Sequence, residues 1–565
     1  MPVIATAGHV DHGKSSLIQT LTGINPDRLE EEKRKGMTID LGFAHVTTQG
    51  TTLSFVDVPG HADFIRTMIS GVTGVDIALL VIDAGEGWKP QTEEHLGILE
   101  VLGVRHGVVA LTKCDKWDAD HLNRRRQEIH DRLSSSSVVW HDIVPTSVVT
   151  QEGLDALVDI LASLTVQTSR ATRPGSARLF IDRVFSMKGS GTVVTGTLDT
   201  APLHTGDALV IARTQQPVRI REIQVHGKSV ENCEPGSRCA INVTGVDSDA
   251  LTRGDALITP GGWITTSVFD AHIVLLPGLN KPLTHRGSFT IHIGSDYQSA
   301  SIRILENSEI LPNTTGKVRV RFSRPLPLVP SDKFLLRDTS TNTTLGGGTI
   351  LDVDPITRVS LARPEGTVES IMHNRGFIDI NRARLLTGVD LTPVVGDWFA
   401  RADDIDTTKT SLRERLKATN EMRLAELLPF ERELLSHIDG VVIENGIARL
   451  GDTTSIDEHP VAQLIRQWGL TGSSSSDLDR NVVRRLVQRG VVFEHDSIAF
   501  HRDTLESLRP QLTYLWEQSP DGFTVAELRT ALSITRKHAV PLAECLDKYG
   551  LTKRSGDTRL RGHRW

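Results

Sequence analysis

The chain has 565 residues, a formal net charge of -7 and 38% hydrophobic residues, a composition ordinary for a globular protein and long enough for about three to five domains. That acidic total argues against a uniformly basic nucleic-acid coat, so any RNA contact must be local. The four cysteines, Cys114, Cys233, Cys239 and Cys545, form no CxxC; they point to neither a zinc site nor a disulfide framework and suit a reducing cytoplasm.

No apolar run reaches membrane-spanning length, so no membrane association is expected. The chain opens straight into a strand rather than a signal peptide. That strand is the apolar run Val3-Ile4-Ala5-Thr6. The next stretch, Gly8-His9-Val10-Asp11-His12-Gly13-Lys14-Ser15, fits Gly-x4-Gly-Lys-Ser/Thr, and a helix is predicted from Ser16 onward. Strand, glycine loop and helix together make a phosphate-binding loop. Its N–H groups and the helix N-terminus face phosphate oxygens, Lys14 reaches the outer phosphates, and the Ser15 hydroxyl ligates Mg²⁺.

A polar segment over 25–35 leads to Gly36-Met37-Thr38-Ile39. A mobile segment closing on Thr38 is what a nucleotide switch requires, with Thr38 completing the Mg²⁺ shell. A predicted strand then delivers Asp57-Val58-Pro59-Gly60-His61. Asp57 is placed to hold Mg²⁺ through water, Gly60 to let the backbone approach the γ-phosphate, and His61 to orient the attacking water as the catalytic group.

The apolar run 107–111 ends in Thr112-Lys113-Cys114-Asp115. The Asp115 carboxylate can accept from both N1–H and N2–H₂ of guanine, a donor pair adenine lacks, so it selects GTP. The Lys113 stem lies along the base. Thr112 stands where the common form has Asn, and its shorter side chain is expected to weaken the tie to the phosphate loop. Thr146-Ser147-Val148, after the strand over 143–145, is placed to give a backbone N–H to guanine O6. These motifs, each at a strand end, predict a doubly wound α/β P-loop GTPase domain over residues 1–170.

Pro174-Gly175-Ser176 reads as a linker, and short β-rich runs follow. Their spacing predicts two antiparallel β-barrels, over 171–260 and 261–355. Beyond 355 the pattern turns helical. A module of striped helix, glycine, strand, polar turn and strand recurs at 433–446, 483–496 and 545–556, with an earlier copy over 368–394. This predicts three or four winged helices in tandem over 356–565. The Ser-rich stretch 473–476 and the short tail argue against four complete modules.

The last module, about 510–565, is locally basic: Arg536, Lys537, Lys548, Lys553, Arg554, Arg559, Arg561 and Arg564 face few carboxylates. Arg536 and Lys537 start the helix that usually enters nucleic acid in such motifs, and Pro541 should kink that helix or shift its start.

Gly-His-Val-Asp-His-Gly-Lys-Ser, Gly-Met-Thr-Ile and Asp-Val-Pro-Gly-His together resemble the translational GTPases, the class of elongation factor Tu. The runs 188–198 and 336–350 resemble their second and third domains. With the winged-helix tail, Asp40-Leu41-Gly42 after the switch, and Ile181-Asp182-Arg183 in the first barrel, the whole chain resembles the bacterial selenocysteine-specific elongation factors. The resemblance implies a cytoplasmic, monomeric GTPase that carries selenocysteinyl-tRNA to the ribosome. It also implies a tail that binds an mRNA hairpin downstream of a recoded UGA codon, through Arg536, Lys537, Lys553 and Arg554. Asp182, Arg183 and Arg238 become the aminoacyl-pocket candidates, where fixed cations can prefer an anionic selenolate to neutral serine. Two alternatives stand beside it: an initiation-factor-like GTPase carrying another aminoacyl-tRNA, and a GTP-gated RNA-binding regulator. A sulfate-activating enzyme's GTPase subunit shares the first motifs but lacks winged helices.

Overall fold

The computed structural model describes residues 3–27, 30–35, 37–48, 50–60, 65–72, 74–167, 176–187, 191–450 and 459–565. It divides into two compact units, Met1–Ile405 and Asp406–Trp565. Among the described residues no helix is long and apolar enough to cross a membrane.

The first unit opens with a six-stranded sheet. Its strands are β1 (Val3–Ala7), β2 (Gly42–Thr48), β3 (Thr51–Asp57), β4 (Ile77–Asp83), β5 (His106–Thr112) and β6 (Val139–Pro145), in the order β2-β3-β1-β4-β5-β6. Only β2 runs antiparallel to its neighbour. The middle strands are mostly apolar because helices cover both faces, with Thr6, Asp83 and Thr112 at or near the strand ends that meet the loops. β4 is buried at every position. The helices are α1 (Lys14–Thr22), α2 (Glu30–Lys35), α3 (Ile65–Val72), α4 (Pro90–Val101), α5 (Ala119–Leu133) and α6 (Leu154–Gln167). Leu17, Ile18, Leu157 and Leu161 fill one face, and Met68, Ile69, Ile98 and Leu99 the other. Each such fully buried side chain contributes roughly 1.5–3 kcal/mol. The parallel order sends the loops after β1, β3, β4, β5 and β6 to one edge, where the sequence motifs meet.

Two closed barrels follow. The first uses Arg178–Met187, Gly191–Asp199, Ala208–Ile211, Pro217–Val225, Arg238–Thr244 and Ala256–Ile258. Pairing of Ala208 with Arg219 and of Val210 with Pro217 closes it. The second uses Ile264–Leu275, Phe289–Ile293, Asp296–Ile304, Thr315–Leu328, Lys333–Asp338 and Thr343–Asp352. Alternating side chains fill both interiors. Arg178 joins the barrels. Its guanidinium donates to Asp332 at 2.6 and 2.8 Å and to the Pro327 carbonyl at 2.8 Å, and lies 4.4 Å from the Trp263 ring centroid.

The helices Val368–Met372 and Ile380–Thr387, with the strand pair Ile378–Asp379 and Trp398–Phe399, form a small module. Its Ile371, Met372, Ala383 and Leu386 share one core with the second barrel. The first compact unit therefore runs well past residue 355.

Among the described residues the second unit holds three small sheets, each of three strands and each led by helices. The Ser-rich stretch 473–476 begins in the second of these sheets. Ser473–Ser474 is the third strand of its sheet, and the buried Ser475 hydroxyl donates to the Ser497 carbonyl at 3.0 Å. The final helix runs unbroken from Arg536 to Tyr549 through Pro541. Pro541 is buried in the second turn, and the helix starts at Arg536 and continues past it.

Candidate nucleotide and aminoacyl sites

At the strand-end edge a cavity of about 280 Å³ is lined by Lys14, Ser15, Asp27, Thr38, Gly60 and Lys113, with the phosphate loop beneath. Gly8 turns the chain at φ 127°, and a Cβ there would collide with the Val81 carbonyl. A Cβ on Gly60 would strike Lys14 Nζ and come within 2.8 Å of Val10 N. Both positions need glycine for this reason. His9 and Val10 form a half-buried lip with Gln91, whose side-chain oxygen lies 3.4 Å from Val10 N and accepts from the His9 ring. Asp11 turns with φ 66°, Gly13 precedes α1, and Ser16 is exposed on its first turn.

Lys14 is buried; its ammonium donates to the His9 carbonyl at 2.8 Å, and burial lowers its pKa to about 8. The Ser15 and Thr38 hydroxyls lie 2.8 Å apart, and Thr38 donates to Asp27 at 2.9 Å. Asp57 is fully buried and accepts from Thr6 at 2.7 Å. Its second oxygen has no hydrogen-bond partner among the described residues. Burial raises the pKa of Asp57 and of Asp27. A buried carboxylate oxygen without a partner, beside two hydroxyls, fits a hard divalent cation.

Two buried histidines shape the loop from behind. Gly8 N donates to His95 Nδ1 at 3.0 Å, and burial lowers the His95 pKa to about 3. Burial also lowers His12 to about 4. Both rings are neutral at physiological pH.

Thr112 keeps a tie to the phosphate loop: its hydroxyl donates to the His12 carbonyl at 2.8 Å. Lys113 bridges the same loops, 2.6 Å from Asp83 and 2.9 Å from the Asp11 carbonyl. Asp115 is exposed at the rim. Of the three residues placed for guanine O6, Thr146 N and Ser147 N already donate to the Leu111 and Glu152 carbonyls at 2.8 and 3.0 Å. Val148, exposed, keeps its N–H free of any backbone acceptor among the described residues. His61 lies outside the described residues.

A second cavity, about 380 Å³, lies where the first barrel meets β2 and β3. Phe43, Arg183, Thr195 and Arg238 line it. Asp182 is buried and accepts from Arg238 at 3.0 and 3.2 Å and from the Thr195 hydroxyl. Arg183 turns the other way, to Asp40 at 2.8 Å and the Leu41 carbonyl at 2.6 Å. The Phe43 ring centroid lies 3.4 Å from the Arg238 guanidinium and 5.4 Å from that of Arg183.

In the last module Arg536 and Lys537 open the final helix, and Lys553 and Arg554 stand on the strand Thr552–Ser555; all four are exposed. Arg554 is 3.3 Å from Glu544. Arg559 is not a surface cation. It is 2% exposed and paired with Glu544 at 2.9 Å and Asp547 at 3.0 Å.

Comparison with known proteins places this architecture. Residues 1–167 match the elongation factor Tu GTP-binding domain, 270–357 the beta-barrel domain of selenocysteine-specific elongation factor, and 515–561 the winged helix of elongation factor SelB. A selenocysteine-specific elongation factor from Desulfomicrobium baculatum is 32% identical, with 99% of each chain covered. The chain belongs to the selenocysteine-specific elongation factors. It is a GTP-binding translation factor and a GTPase. The crystal structure of a bacterial member, EF-Sec, superposes with a TM-score of 0.68 at 25% identity, covering 100% of both chains. A Methanococcus maripaludis member solved with the GTP analogue GppNHp gives 0.55 at 26% identity, covering 63% of this chain and 80% of that one.

Four residues of these sites carried no sequence signal. Phe43, Gln91 and His95 enter only through contacts between segments distant in the chain, and Asp27 through its bond to Thr38 within the switch segment.

Proposed function

We propose that this elongation factor binds selenocysteinyl-tRNA in its GTP form and delivers it to the ribosome at UGA codons marked by an mRNA hairpin. The observation that carries the reading is the aminoacyl cavity. Arg183 and Arg238 line a pocket beside the switch strand β2; each is already paired with a carboxylate, Asp40 and Asp182, and an anionic side chain would gain further charge-assisted hydrogen bonds from them that a neutral serine would not. The barrel over 171–260 thus serves as the aminoacyl-tRNA domain.

In this reading the loop from Gly8 to Ser16 cradles the phosphates, Lys14 neutralises them, Asp115 reads guanine with Lys113 along the base, and Val148 meets O6. Ser15, Thr38 and Asp57 would hold Mg²⁺, which offsets phosphate charge when bound. His61 orients the attacking water once the ribosome is engaged. Arg536, Lys537, Lys553 and Arg554 contact hairpin phosphates. The protein acts as a cytoplasmic monomer.

The test is sequencing of RNA that copurifies with the chain loaded with a non-hydrolysable GTP analogue. A single tRNA species together with hairpin RNA supports delivery. Hairpins alone support a GTP-gated regulator, and a different tRNA supports an initiation-factor-like role.

A further inference from the structure

Asp40 stands two residues after Thr38, and the two side chains serve different sites. Thr38 faces the phosphate cavity beside Ser15. Asp40 reaches the first barrel, with Oδ2 2.8 Å from Arg183 Nη2 and Oδ1 3.9 Å from Arg253 Nη1. The Leu41 carbonyl accepts from the same Arg183 nitrogen at 2.6 Å. Both bonds use Nη2, and a guanidinium has five donors, so among the described residues Arg183 keeps donors on Nε and Nη1 beyond these two bonds while lining the cavity. Phe43, on the next strand, lies against both guanidiniums. The segment is pinned from behind by Glu32 of α2, whose Oε1 accepts the backbone N–H of Ile39 and of Asp40, both at 3.0 Å. Two residues span roughly 7 Å of chain. A displacement of Thr38 therefore pulls on Asp40 and Leu41 at their contacts with Arg183, while Phe43 stays in the β2–β3 ladder.

We propose that Asp40 is a positioning residue that carries the nucleotide state to the aminoacyl pocket. With Thr38 seated, Asp40 and the Leu41 carbonyl hold Arg183 in one orientation, and Phe43 braces Arg238. The two cations then stand pre-organised for a selenolate, and a ligand meets them without the entropy cost of ordering long side chains. When Thr38 is released, Arg183 loses both acceptors at once and the pocket loses its order. Amino-acid selectivity is thus assembled by GTP and dismantled by hydrolysis, through one carboxylate. This rests on reading Asp182, Arg183 and Arg238 as the aminoacyl site.

The experiment uses the full chain and one tRNA charged with selenocysteine or with serine. Each affinity is measured with a non-hydrolysable GTP analogue and with GDP. Asp40→Asn keeps the size and removes the charge. It should weaken selenocysteinyl-tRNA binding roughly three- to tenfold in the GTP-analogue state, the scale of a half-exposed ion pair with charge-assisted bonds. Binding with GDP should not move. The selenocysteine-to-serine ratio should narrow by the same factor, and Asp40→Glu should restore most of it. An equal fall in both nucleotide states, an equal fall for both charged tRNAs, or no fall overturns the proposal. Arg183→Ala separates this from the underlying reading. If it leaves the selenocysteine-to-serine ratio intact, the pocket assignment itself fails. If it collapses the ratio while Asp40→Asn does not, only the role of Asp40 fails.

Discussion

Thr112→Val tests how the base-binding strand holds the phosphate loop. The change keeps the shape of Thr112 and deletes one hydroxyl. That hydroxyl donates to the His12 carbonyl at 2.8 Å and lies 3.2 Å from the Ile82 carbonyl. Thr112 and His12 are both buried, so water cannot replace the donor freely. Leaving a buried acceptor without its partner costs about 1–3 kcal/mol. If the loop relaxes when the bond is lost, the cost appears as weaker nucleotide binding, roughly 5- to 150-fold. If the loop stays in place, it appears as lower stability of the folded chain. Measuring GTP affinity by calorimetry and stability by denaturant unfolding captures both. Thr112→Asn, which can also donate to the loop, should come close to wild type in each. If Thr112→Val shifts neither quantity by more than about 0.5 kcal/mol, the bond carries none of the load assigned to it.

Three further outcomes follow from the same geometry. Asp115→Asn should exchange the preference for GTP for one for xanthosine nucleotides, because the amide reverses the hydrogen-bonding sense; a variant that still prefers GTP removes Asp115 as base reader. Arg178→Ala should lower stability by about 3–5 kcal/mol, since it leaves Asp332 and Asp199 without a shared cation at the barrel junction; thermal unfolding checks this, and a loss below about 1 kcal/mol contradicts it. Acid should destabilise the fold through His12 and His95, whose folded pKa values of about 4 and about 3 lie below the ordinary 6.5. The unfolded chain then binds more protons below 6.5, so stability falls as pH drops from 6.5 toward 4. The loss between pH 7 and 5 is on the order of 1–2 kcal/mol per ring, and His95→Gln should flatten the slope by one ring's share.

Much of the fold is legible in the sequence because its signals are local. The phosphate loop announces itself through glycine spacing between an apolar strand and a helix. The barrel strands show through alternation and turns, as in Arg178–Met187 and Arg238–Thr244. What stays hidden depends on distant neighbours. Thr112 is read as a shortened substitute until the His12 carbonyl, 100 residues earlier, is seen to lie in reach. Arg559 counts as surface charge by composition, yet its strand alternation turns it inward onto Glu544 and Asp547. Ser473–Ser474 is Ser-rich and shows no strand pattern, and becomes a strand because Ile498–His501 offers it an edge. The small module over 368–399 resembles its tail neighbours in pattern, but its apolar face belongs to the second barrel's core. Asp40 belongs to a recognisable stretch after the switch, but its tie to Arg183, far along the chain in the barrel, is visible only in the fold.

Delivery itself is tested most directly by reconstituted translation of a message with one in-frame UGA codon, supplied with this factor, GTP and selenocysteinyl-tRNA. Full-length product containing selenocysteine should form when a cognate hairpin follows the UGA. It should be lost when the hairpin is deleted, and lost when the chain is cut after Ile405, where the first compact unit ends. Selenocysteine insertion that is indifferent to the hairpin and to that cut would contradict the account.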